Sequence, residues 1–129
     1  MSAVLMERTN KIVRKDEVWL ADLGTGKGSI QGGLRPVLIT TNDMGCKYSS
    51  VIQVASITSS KIKKSLPTHV CIDASENGFE KDSTIMFEQL FPLIKEDLKF
   101  KLFDLPSEYY DNVDRAYIMA AKRSERYRY

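Results

Sequence analysis

Apolar and polar positions along this chain change over in short bursts, and only the last third carries a helical period. Glu17–Leu23, with Val18, Trp19 and Leu20, alternates in part and predicts a first strand. Arg35–Thr41 contains the run Val37, Leu38, Ile39 and predicts a second, buried strand. Val51–Ile57, His69–Ile72 and Ser83–Phe87 predict three more, and Pro92–Ile94 a short edge strand. Thr25–Leu34 is a loop whose length points to function or disorder. Asn42-Asp43-Met44-Gly45 reads as a turn. Ser107 is placed to N-cap a final helix in which Tyr109, Val113, Ala116, Tyr117 and Ala120 recur at helical spacing. Glu108 and Asp111 at its start and Lys122-Arg123 at its end suit the helix dipole. Five or six short strands and one amphipathic helix predict a mainly β (α+β) fold: a small, strongly bent barrel with a peripheral helix. Residues 1–14 read as a flexible arm, 15–121 as the domain and 122–129 as a basic tail.

The loop before the second strand narrows the chemistry. Gly28-Ser-Ile-Gln-Gly-Gly-Leu-Arg-Pro delivers Arg35 to the strand entrance, where Pro36 biases it toward an extended conformation. A charged residue between a glycine loop and a rigid sheet is well placed for a task. The loop fits neither nucleotide-binding pattern. Gly26-Lys27 is followed by Gly28, and a strand comes next where a helix is required.

Charge and composition then remove several classes. The chain has 129 residues and a net charge of only +2, so any RNA-binding surface must be locally basic. Ser59–Ser65, with Lys61, Lys63 and Lys64, is either a solvated loop or a set of phosphate contacts. No apolar run approaches membrane-spanning length, and no apolar signal-peptide core opens the chain. Cys46 and Cys71 read as free thiols. With His69 they make an incomplete metal set without recognisable spacing, so neither metal nor cofactor is expected.

The loop and its flanks resemble the MazF/PemK toxins, the ribonuclease halves of bacterial toxin–antitoxin pairs. The resemblance is carried by Gly28-Ser29-x-Gln31-Gly32-Gly33-x-Arg35-Pro36-Val37-Leu38-Ile39 and Asp16-x-Val18-Trp19-x-Ala21-Asp22-Leu23. Val54-Ala55-x-Ile57-Thr58, Leu66-Pro67-Thr68-His69-Val70, Gly78–Ser83 and Glu88-Gln89 follow in order. The resemblance implies an SH3-like barrel and a sequence-specific, metal-independent endoribonuclease acting on single-stranded RNA. It further implies a cytoplasmic bacterial homodimer silenced by an antitoxin. It assigns catalysis to Arg35 and Thr58. Ser29, Gln31, Gly33, Lys61, Lys64, Thr68-His69 and Glu88-Gln89 are the candidate RNA contacts, with His69 equally readable as a satisfied core residue. Lys27 and Lys63 extend the basic groove, where an acidic, disordered antitoxin tail would dock.

Many relatives carry a loop glutamate where this chain has Ile30. Either that carboxylate is dispensable, or Glu88 or Asp22 substitutes, or activity is weak. Met86, Phe87 and the helix tyrosines read as core or dimer contacts. The alternatives are a non-catalytic toxin of this fold that poisons DNA gyrase, and an SH3-like peptide adaptor. The first would not need the Arg35–Thr58 pair, and the second would want an aromatic groove.

Overall fold

The computed structural model describes residues 11–26, 32–59, 66–74 and 78–123. Six strands form one antiparallel sheet: β1 (Glu17–Asp22), β2 (Leu34–Ile39), β3 (Val51–Thr58), β4 (His69–Ile72), β5 (Ser83–Ile94) and β6 (Leu98–Asp104). Their spatial order is β4-β5-β3-β2-β1-β6. Helix α1 (Asp43–Tyr48) follows β2, and α2 (Tyr110–Ala121) closes the described chain. Mainly antiparallel sheet with a C-terminal helix is the predicted class.

Both faces of the central strands are buried, which is why Val37-Leu38-Ile39 reads as an unbroken apolar run. Val18, Leu38, Ala55, Ile57, Val70, Ile72, Ile85 and Phe87 face one core, closed by Val113 and Ala116 of α2. Trp19, Ala21, Val37, Ile39, Ile52 and Val54 face a second, closed by Val13, Cys46 and Leu98. The sheet is curled, because Phe79 beyond β4 meets Phe103 of β6 edge to face, with ring centroids 4.6 Å apart. The elements at the two ends of the strand order thus share one core, and the barrel stays open between its edge strands.

Five local expectations change. Asn42–Gly45 is the start of α1: the Asn42 side chain accepts the Gly45 N–H at 2.9 Å and caps it. Pro92–Ile94 is no separate edge strand but the end of the long β5, paired to β3. The edge strands are β4 and β6, and β6 carries Leu98-Lys99-Phe100-Lys101-Leu102, which alternates strictly in sequence. Ser107 opens a 3₁₀ turn (Ser107–Tyr109) instead of capping α2, which begins at Tyr110 without a side-chain cap. Ala120 is exposed, whereas Tyr117 reaches back to donate to Gln53 Oε1 at 2.7 Å. The expected N-terminal arm includes Val13, which is 5% exposed and packs in the second core.

Candidate functional site

Arg35 and Thr58 come from neighbouring strands, β2 and β3. β2 and β3 pair antiparallel through Val37–Ser56, Leu38–Ala55 and Ile39–Val54. Carried two residues further, that register sets Arg35 opposite Thr58. Both alternate with residues of the second core, so they project from one face of the sheet. Thr58 pairs on its other side with Thr84, and Thr84 with Cys71. The next row on this face is Val37, Ser56, Met86 and His69. Apolar at its β1–β2 end, the face turns polar toward β4.

The glycine loop fixes the arginine. Leu23 N–H donates to Gly33 O at 2.9 Å and Gly33 N–H to Gly24 O at 2.7 Å, closing the loop neck. Gly33 lies at φ +76°, where a side chain is strained. A Cβ on Gly32 would fall 2.2 Å from Gly26 N, so the two chain segments touch only because Gly32 has none. Gly32 O in turn accepts Arg35 Nε–H at 3.2 Å. Among the described residues no carboxylate lies within ion-pair distance of Arg35, which is exposed. Thr58 is buried.

A second polar cluster stands beside this row. β3 pairs with β5 up to Ala55–Leu90 and resumes at Ser56–Met86, so Phe87, Glu88 and Gln89 are passed over. Such bulges re-aim side chains. Phe87 turns into the first core and Glu88 outward. Thr68 Oγ1 donates to Glu88 Oε1 at 3.0 Å, and His69 Nε2 lies 2.7 Å from Glu88 Oε2. Burial pushes the Glu88 carboxyl up, but hydrogen bonds from His69, its own backbone N–H and Thr68 outweigh it and hold the group below its ordinary value.

Residues 14–119 match the model of the "PemK-like, MazF-like toxin of type II toxin-antitoxin system" family. This chain belongs to that family. It is 47% identical over 105 residues to "Endoribonuclease EndoA" of Bacillus subtilis (strain 168), covering 81% of this chain and 90% of that protein. The PemK/MazF fold is seen again in the crystal structure of MazF from Deinococcus radiodurans, with a TM-score of 0.71 at 16% identity over 86% of this chain and 97% of that one. A mycobacterial endoribonuclease solved with its cognate antitoxin gives 0.70 at 17% identity, over 84% and 94%.

The structure places Gly33 and Arg35 at the start of β2 and Thr58 at the end of the neighbouring β3, and it joins Thr68, His69 and Glu88 in one hydrogen-bonded cluster. Gln89 Nε2 lies 3.9 Å from Met86 Sδ in the same bulge. Lys27, Ser29, Ile30, Gln31, Lys61, Lys63 and Lys64 lie outside the described residues. Asp22 sits at the end of β1, alternating with first-core residues away from Arg35, and its carboxylate accepts Gly24 N–H at 3.0 Å. Sequence reasoning missed Ser56, whose buried hydroxyl finds no partner among the described residues and lies two residues before Thr58 on the same face. The i, i+2 alternation of Val54, Ser56 and Thr58 was its signal.

Proposed function

We propose that this PemK/MazF toxin is a sequence-specific, metal-independent endoribonuclease that cleaves single-stranded RNA, mRNA included, and so arrests translation. The observation that carries the proposal is the β2–β3 register, which, extended two residues beyond its last pair at Val37–Ser56, puts Arg35 level with Thr58 beside the glycine loop. The ribose 2′-hydroxyl attacks the adjacent phosphorus, charge builds on the phosphoryl oxygens, and the 5′-oxygen leaves. The products are a 2′,3′-cyclic phosphate and a 5′-hydroxyl. Arg35 supplies a permanent cation whose planar fork matches phosphate. Its Nε is held by Gly32 O, so the fork is oriented before substrate arrives. Thr58 supplies a hydroxyl toward the same phosphate. A gyrase poison on this fold would have no use for that pair.

The working unit in this reading is a cytoplasmic homodimer with RNA lying across its joint surface. An antitoxin with an acidic, disordered tail competes for that surface, steered by its basic groove. That a mycobacterial relative was solved with its cognate antitoxin supports a protein partner. The test is incubation of the pure protein with RNA in excess chelator, followed by end-group analysis. Cleavage with cyclic-phosphate ends is expected; loss of cleavage restored by magnesium would overturn the mechanism.

A further inference from the structure

A cleft remote from the cleavage site gathers cations that no carboxylate answers. It measures about 560 Å³, and Lys11, Arg14, Asp43, Cys46, Lys47 and Lys95 are among the residues that line it. Three segments meet there: the chain entering β1, helix α1, and the turn where β5 ends, whose Lys95 N–H donates to Ser50 O at 3.0 Å. That turn follows the Val51–Ile94 pair, whereas Thr58 pairs with Thr84 at the other end of β3. The cleft is thus about one strand length, roughly 20 Å along β3, from Thr58.

Lys95 is the group that calls for an occupant. It is 5% exposed, and its ammonium donates to Cys46 O. An ammonium carries three donors. Among the described residues the other two have no acceptor, and no carboxylate lies within ion-pair distance of Lys11, Arg14, Lys47 or Lys95. A buried charge short of acceptors is costly. Lys11 Nζ donates to Lys95 O at 3.2 Å and to Leu98 O, which fixes the entering chain against the turn. Burial and Lys99 push Lys11 below its ordinary value, with Glu96 and Asp97 acting against them. Asp43, the one carboxylate on the lining, accepts Lys15 N–H at 2.9 Å. Lys47 rests over the Tyr48 ring, 5.2 Å from its centroid, an exposed contact that it can leave. Arg14 is exposed, and its guanidinium has no partner among the described residues.

We propose that this cleft binds a phosphate group of a small anion, with Lys95 donating from its floor and Arg14 and Lys47 closing on it from the rim. Phosphate suits the donors present. Its oxygens can take both spare Lys95 N–H groups, and a pair of them matches the guanidinium fork. Its second negative charge answers a second cation, which a carboxylate cannot do. At about 30 Å³ for each water, the cleft also has room for residual hydration. An occupant would tie the chain entering β1 to α1 and stabilise the fold by mass action. The site stands apart from the ribonuclease reading, since no step of RNA cleavage passes through it.

The test is calorimetric titration of the full-length protein with inorganic phosphate, pyrophosphate and ATP at constant ionic strength. At least one of them should bind saturably in the millimolar range or tighter and raise the melting temperature. A response to phosphate or pyrophosphate marks the free anion as the source; a response to ATP alone marks a nucleotide. Arg14→Ala and Lys47→Ala, both at exposed positions, should each weaken binding about tenfold, as for one charge-assisted hydrogen bond. Lys95→Met should abolish it; if that variant does not fold, the two rim variants decide. Arg35→Ala should bind as the wild-type protein does. No saturable binding of any of the three anions overturns the proposal. Binding that Arg14→Ala and Lys47→Ala leave undiminished, or that Arg35→Ala removes, overturns it equally, because the anion would then sit elsewhere.

Discussion

Glu17 and Glu88 are both carboxylates held at each oxygen by a donor, and their surroundings differ. Glu17 accepts from Arg14 N–H at 2.8 Å and Trp19 Nε1–H at 3.0 Å, and pairs with Lys101 at 3.0 Å; its side chain is 8% exposed. It knots the segment before β1, β1 itself and β6 into one unit. Glu88 is held by Thr68 at one oxygen and His69 at the other, and it is about four times as exposed. A sealed carboxylate can only stabilise. One pinned and left open can also recognise, because its orientation is set before a ligand arrives.

The widest separation between the two should be in stability. Glu17→Ala leaves an indole N–H, a backbone N–H and an ammonium without their acceptor, and should cost about 2–4 kcal/mol. Glu88→Ala, at a side chain about a third exposed, should cost about 1 kcal/mol or less. Chemical denaturation of both variants checks this; equal losses would erase the distinction. Next in size is the loop neck. Gly33→Ala places a Cβ at φ +76° and should cost about 1–2 kcal/mol locally. The effect should appear as slower RNA cleavage, with the global unfolding midpoint moving less than in Glu17→Ala.

The smallest effect is in pH. The unfolded chain protonates Glu88 near the ordinary value of 4.5, while the folded protein resists. Ionised Glu88 therefore contributes stability above that value and loses it as pH falls through the lowered folded value. Glu88→Gln lacks this contribution, so the wild-type and variant melting curves should converge as pH falls below 4.5. A gap that widens on acidification would reverse the sign.

Much of this was legible in residue order. Pro36 and the Val37-Leu38-Ile39 run mark β2, and paired glycines mark a loop that must pass close to itself. Glu88 and Thr68-His69 stood out singly, but nothing in their sequence spacing shows that a bulge turns Glu88 toward them. A bulge depends on pairing with a distant strand, which local propensity does not record. The Leu98–Asp104 strand was missed altogether, although Leu98–Leu102 alternates in sequence. Asn42 was read as part of a turn, whereas its side chain caps a short helix whose Cys46 packs into the second core.

In the proposed mechanism Arg35 is the cation that meets the phosphoryl charge. The most direct measurement is the single-turnover cleavage rate of Arg35→Ala on an RNA carrying the wild-type motif, with circular dichroism showing that the variant is folded. Loss of one preorganised donor to a developing oxyanion predicts a fall of about 10²–10³. Arg35→Lys should recover part of it, since a point charge replaces the fork. A folded Arg35→Ala that cleaves at the wild-type rate would contradict the account.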